Sequence, residues 1–233
     1  MESRDAEGWT PLASAAFNGR KDLCQFLVGK GCTLCLNAAQ KEQLKPNFSC
    51  RVHLAAVYGD KTTLQLLLDM GADINERNSF GETALLQAVC FNHLSCVKLL
   101  TGRGADATIL ANEDTSVLHR AVRGLTDSEM MRFLLDDVVG TRNLVDKKDS
   151  FGETPLHYCS YVSYRSPVVQ IENAKMLVEA GASLTIRNDL QRTPYECARE
   201  RRYNEHAEYL WSQLSPKQQA LEKLPPSSRK KFL

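Results

Sequence analysis

No long apolar run, no excess of one charge sign and no phosphate-cradling loop occurs in this chain of 233 residues. Each absence narrows what the protein can do. Uninterrupted apolar stretches such as Leu66 to Leu68 are short, far below the roughly 20 residues that a membrane-spanning helix needs. The amino-terminal MESRDAEGWT lacks the basic-then-apolar order of a secretory signal. These two absences lead us to expect an intracellular protein, cytoplasmic and/or nuclear, with no membrane insertion. Twenty-nine basic and 28 acidic residues leave a net charge of +1, so no overall field attracts nucleic acid and none is expected as a partner. There is no G-x-x-x-x-G-K-[ST] loop and no histidine paired with a nucleophile. Neither a catalytic residue nor a cofactor is therefore expected, and the chain is not read as an enzyme.

What is present is an ordinary globular composition, 43% hydrophobic and 24% charged. Eight cysteines in an intracellular chain are expected to be reduced thiols. Cys24, Cys90, Cys96, Cys159 and Cys197 are scattered over helix-like segments, as small core residues would be. Self-similarity is the dominant signal. The glycine closing LLLDMGADIN is Gly71 and the one closing LLTGRGADAT is Gly104, 33 residues on. The same interval separates His53 from Leu86 and Leu86 from His119. The string SFGET occurs at residues 79–83 and again at 150–154, and a turn copied at the period of an array is architecture rather than a duplicated active site.

These residues resemble the ankyrin repeat, a unit of about 33 residues with a turn, two helices and the signature T-P-L-H-x-A. Residues 154–157 read TPLH, 10–13 read TPLA, 83–86 read TALL and 193–196 read TPYE. The resemblance implies an all-α solenoid of helix-turn-helix units with a β-hairpin or turn in each, stacked as one elongated array over residues 1–214. Units are expected at about 5–36, 45–77, 78–110, 111–148, 149–187 and 188–214, followed by a tail over 215–233. Local chemistry supports each start and stop. Gly8, Gly81 and Gly152 suit a turn, Thr10, Thr83, Thr154 and Thr193 suit helix caps, and Pro11, Pro155 and Pro194 suit a first helical turn. Gly31, Gly71, Gly104 and Gly181 stand where left-handed carboxy-terminal caps are expected. The charged last helix, with Arg199 to Arg202, Glu205 and Glu208, reads as a terminal repeat with one solvated face.

Departures from the pattern are an insertion over 37–49, another over 160–170, a lengthened end to the fourth unit, and Asp114 in place of a turn glycine. The inserted loops are either binding elements or tolerated surface drift. His53, His119 and His157 fall on the signature position, His93 precedes a second helix, and His206 reads as a solvated or helix-packing residue. Metal-like spacing occurs once, in Cys32, Cys35, Cys50 and His53, which would suit a tetrahedral zinc. Against this, Cys50 stands for a capping threonine and His53 is the signature histidine, so no metal is expected and zinc is kept as an alternative.

The resemblance further implies a non-catalytic interaction module or adaptor, expected to be monomeric, that binds a protein or peptide along its concave face and turn tips. Carried over position by position, the candidate contacts are Trp9, Phe80, Glu82, Phe151 and Glu153 at the turns, with Phe17, Tyr58, Phe91, Arg120, Arg123, Tyr158 and Tyr161 on the first helices. Phe80 and Phe151 stand out because the turn would accept a polar residue there. Asn75, in LLLDMGADIN, resembles the site that asparaginyl hydroxylases modify in ankyrin repeats, while a plain turn-closing role is the other reading. The end, LPPSSRKKFL, is distantly similar to parts of a ligase-recruiting box and reads equally as a linker. An array of this kind can also be the recognition fragment of a larger enzyme, channel or ubiquitin-ligase adaptor.

Overall fold

The computed structural model describes residues 4–5, 9–32, 34, 49–161 and 167–223, and every regular element among them is helical. By contact they form two compact units, Met1–Asn112 with Gly124–Thr126, and Glu113–Arg123 with Asp127–Leu233.

The first unit holds three helix pairs: α1 (Pro11–Phe17) with α2 (Lys21–Gly29), α3 (Ser49–Val57) with α4 (Lys61–Asp69), and α5 (Ala84–Cys90) with α6 (Leu94–Gly102). α3 lies against α5, and α4 packs between α2 and α6. The buried faces follow helical spacing, with Leu64, Leu67, Val97 and Leu100 wholly enclosed. In the second unit α7 (Val117–Arg123) pairs with α8 (Ser128–Asp136), α9 (Pro155–Tyr158) with α10 (Pro167–Glu179), and α11 (Pro194–Glu200) with α12 (Asn204–Gln213). Here α9 sits between α7 and α11, and α10 between α8 and α12.

The start signals act as the sequence implies. The hydroxyls of Thr10, Thr83 and Thr193 accept the N–H groups of Ala13, Leu86 and Glu196 at 3.3, 3.3 and 3.4 Å. Gly31, Gly71, Gly104 and Gly181 all have positive φ. The turn glycine has a second reason to be glycine. A Cβ on Gly81 would stand 2.4 Å from the side-chain oxygen of Asn112, and one on Gly152 2.5 Å from that of Asp189, because the next turn docks against it. At the last turn Gln191 keeps the left-handed φ of 60°, so the backbone shape persists where glycine does not.

The signature histidines connect neighbouring repeats. His119 Nδ1 accepts the Ser116 N–H at 3.1 Å and its Nε2 donates to the Glu153 carbonyl at 3.0 Å. His157 repeats this with the Thr154 N–H at 3.1 Å and the Arg192 carbonyl at 3.0 Å. His53 Nε2 reaches the Glu82 carbonyl at 2.9 Å. All three rings hold the following turn, and His119 and His157 also cap their own helices.

The departures from the repeat pattern take definite form. The lengthened end of the fourth unit holds a 3₁₀ turn, Thr141–Leu144, that folds onto α8, where the Thr141 hydroxyl donates to the Leu134 and Val138 carbonyls and Arg142 Nε donates to the Leu135 carbonyl. It closes the carboxy-terminal carbonyls of that helix. In the fifth unit the extra residues are partly spent on helix, since α10 has 13 residues where α2, α4, α6 and α8 have 9. Of the two readings of His206, the helix-packing one holds, since the residue is buried. After residue 214 a further helix, α13 (Pro216–Lys223), starts at a proline suited to a first helical turn, and its Glu222 is buried against Arg187. Residues 224–233 lie outside the described residues, as do most of the insertion at 37–49 and residues 162–166 of the other.

The inter-helix loops offer a direct test of backbone strain. Gly19 and Gly59 occupy a left-handed position two residues past the first helix, at φ of 64° and 67°, and Arg202 takes it in the last repeat at φ of 63°. Arg202→Gly is expected to raise stability by about 0.5–1 kcal/mol, the relief of a left-handed side chain less the added freedom of the unfolded chain. An unchanged or lower urea midpoint would show that no strain is held there.

Candidate functional site

The residues with most surface to offer lie at the turn tips and the ends of the first helices. The SFGET tips are built by an Asx residue: Asn78 Oδ1 accepts the N–H groups of Phe80 and Glu82, both at 2.9 Å, and Asp149 Oδ1 accepts those of Phe151 and Glu153 at 2.9 and 2.8 Å. With the backbone so fixed, the residue two places after the Asx side chain points away. Phe80 is 67% exposed and Phe151 56%. Leu190 stands at the same place after Asn188, whose Oδ1 accepts the Arg192 N–H at 3.0 Å, and is 68% exposed. We did not anticipate Leu190 from sequence, although NDLQRT aligns with NSFGET residue for residue.

In the first unit Tyr58 and Phe91 follow α3 and α5 and are exposed, Tyr58 the more so at 72%. His93 fixes this edge by donating from Nε2 to the Val57 carbonyl at 2.8 Å. Trp9 and Phe17 are used internally. Their rings meet edge to face at 5.0 Å, and the Arg51 guanidinium covers Phe17 at 3.9 Å. Glu82 is half-buried and its carboxylate accepts from Gln87 at 3.3 Å.

In the second unit Glu153 turns inward. Its carboxylate is buried, accepting from the Tyr161 hydroxyl and from Asn188 Nδ2 at 3.2 Å. A tip contact was expected of it, but the next repeat supplies a better partner than solvent does. Tyr158 and Tyr161 are half-buried with ring centroids 5.7 Å apart, and the Tyr158 hydroxyl donates to Asp149 at 2.8 Å. Burial and these carboxylate bonds push both phenols well above their ordinary range, so both stay protonated donors. Arg120 is half-buried and Arg123 exposed on α7. Arg201, absent from our sequence-based candidates, lies 3.6 Å over the Tyr161 ring.

Of the zinc alternative, His53 has its Nε2 committed to Glu82, Cys50 is exposed, Cys32 is half-buried and Cys35 lies outside the described residues. No group of three or more metal-ligating side chains converges among the described residues. Burial pushes the thiols of Cys24, Cys96, Cys159 and Cys197 up, the last to about 11, as befits core residues. The Asn75 side chain is engaged in the fold: its Oδ1 accepts the Asp106 N–H of the next repeat at 2.9 Å while its own N–H donates to Asp73.

A run of three ankyrin repeats matches residues 52–143, and single ankyrin repeats match 7–39 and 151–189. The chain belongs to the ankyrin-repeat family. Among similar curated proteins are a mitochondrial disaggregase of Bos taurus, 33% identical over 58% of this chain and 19% of its own length, and the NF-kappa-B p100 subunit of Xenopus laevis, 31% identical over 64% and 15%. A putative palmitoyltransferase of Danio rerio is 26% identical over 84% of this chain and 28% of its own. The chain thus spans less than a third of each of these relatives. Ankyrin repeats are in general non-catalytic protein-interaction modules, and no helix among the described residues is long and apolar enough to cross a membrane.

Proposed function

We propose that this ankyrin array works as an adaptor that binds a protein or peptide through its exposed turn tips and first-helix ends, with no chemistry of its own. The observation that carries this is the exposure of Phe80, Phe151 and Leu190 at a turn position whose backbone is already fixed by its Asx residue. An exposed ring there contributes nothing to the turn, whereas aromatic anchors dominate protein interfaces, each often costing about 2 kcal/mol or more on truncation. Tyr58 and Phe91 extend the same logic to the helix ends of the first unit.

The test is affinity capture from native lysate with wild type beside a Tyr58→Ala/Phe91→Ala/Phe151→Ala variant. All three rings are exposed, so the variant is expected to melt with wild type and to lose the proteins that wild type retains. Identical capture by both would sink the proposal.

A further inference from the structure

The second unit carries an arrangement that selects the chemistry of a partner. Arg123 ends α7 and Arg201 follows α11, the helices on either side of α9, and Tyr158 at the end of α9 has its ring centroid 5.7 Å from that of the neighbouring Tyr161. Burial and Asp149 push the Tyr158 hydroxyl up, and the positive charge of Arg123 opposes that push. Arg201 stacks on Tyr161, whose hydroxyl is tied to Glu153, itself tied to Asn188. Charges in this region are sorted by direction. The acidic side chains Asp149 and Glu153 are buried and spend their oxygens on Phe151, Glu153, Tyr158, Tyr161 and Asn188. Both arginines are exposed, and neither pairs with a carboxylate among the described residues.

Stacking occupies the face of a guanidinium and leaves its in-plane N–H groups free for a bidentate carboxylate. A stacked arginine is also already ordered, so less freedom is lost when it binds. By contrast Glu200, a carboxylate from the same repeat, is paired with Arg192 at 2.9 Å.

We propose that the Arg123–Tyr158–Tyr161–Arg201 strip binds an acidic peptide segment of the partner, with aspartate or glutamate side chains on the two guanidiniums. This rests on the interaction-module reading above and gives its partner a charge. The near-neutral whole chain does not oppose it, since the acidic groups that balance these arginines point elsewhere.

The experiment selects from a displayed random peptide library with immobilised wild-type protein, an Arg123→Gln/Arg201→Gln variant and the Tyr58→Ala/Phe91→Ala/Phe151→Ala variant. Wild type is expected to enrich aspartate and glutamate in the recovered peptides. Synthetic copies should bind the arginine variant about tenfold more weakly or worse, a difference of about 1.4 kcal/mol, and their binding to wild type should weaken as salt rises. Both arginines are exposed, so the variant should melt with wild type; Tyr161→Phe, which keeps the stacking ring, is expected to retain acidic enrichment. Recovered peptides without acidic enrichment, or acidic peptides that bind the arginine variant unchanged, overturn the proposal. If the peptides are apolar and are lost only on the aromatic variant, the module reading stands and the acidic class falls. If no peptide is recovered by any form, both fall. A single-stranded RNA pool that binds wild type and not the arginine variant, where peptides fail, transfers the strip to nucleic acid.

Discussion

Arg187→Met is expected to destabilise the second unit by about 3 kcal/mol, the range found when one partner of a buried ion pair is removed and its charge is left uncompensated. Arg187 forks between two carboxylates, with Nη1 2.7 Å from Glu196 and Nη2 2.9 Å from Glu222, and Nη1 also donates to the Gln191 carbonyl at 2.7 Å. The three side chains are only 19%, 11% and 5% exposed. Water therefore cannot replace the lost cation. Glu196 carries a second duty, accepting the Thr193 N–H at 3.1 Å in a capping box, so displacing it also loosens the start of α11. Glu222 lies on α13, which Gln219 also ties to the sixth repeat through the Trp211 carbonyl, and Arg187 adds the charged link between that helix and Glu196. Hydrogen exchange in α13 should rise in the variant along with the drop in urea midpoint. Glu196→Gln and Glu222→Gln added to Arg187→Met should recover part of the loss, because they remove the stranded charges. Arg192→Met is the control: its pair with Glu200 is equally short at 2.9 Å but 41% and 44% exposed, and about 0.5 kcal/mol or less is expected. Equal losses from the two arginines would show that burial is not what makes the first pair matter.

The repeat was legible because its signals are local. A threonine before a proline, or a glycine after an apolar run, states its backbone requirement within a few residues. Side-chain direction was not legible, because the neighbouring repeat decides it. Glu82 and Glu153 sit in the same five-letter string, yet Glu82 meets Gln87 of its own repeat while Glu153 is buried by Asn188, 35 residues on. The same distance separates Arg187 from Glu222, so what α13 pairs with could not be read from its own polar sequence. Leu190 was missed for a different reason. Its turn lacks the glycine that marks SFGET, although Gln191 adopts the same left-handed backbone. The part of the candidate site that was readable is the part fixed by the turn itself, Phe80 and Phe151.

Stability is expected to fall between pH 6.5 and pH 4, before most surface carboxylates titrate. His119, His157 and His206 are buried, and burial lowers each from the ordinary 6.5 to about 4. For His119 the Glu153 carbonyl and Asp149 oppose that shift while Lys147 and Arg120 add to it; for His157 the Arg192 carbonyl and Asp149 oppose it and Lys148 and His119 add to it. The geometry of the two signature rings requires the neutral form, because Nδ1 must accept a backbone N–H while Nε2 donates. Protonation turns the acceptor into a donor and breaks the cap. A group whose folded affinity for a proton is depressed leaves the unfolded state binding more protons in that window. Its contribution is therefore complete above about 6.5 and is lost as pH falls toward 4. At about 1.4 kcal/mol per pH unit, each histidine accounts for roughly 3 kcal/mol. Urea midpoints at half-unit steps from pH 7.5 to 4 would check this, with the three ring protons followed by NMR. His206 separates burial from capping, since neither of its ring nitrogens finds a partner among the described residues. His206→Leu is expected to cost little at pH 7.5 and to flatten the acid slope by about one proton, whereas His157→Leu should flatten the slope and also lose the cap at every pH. Stability unchanged from pH 7.5 to 5 would refute the assignment for all three.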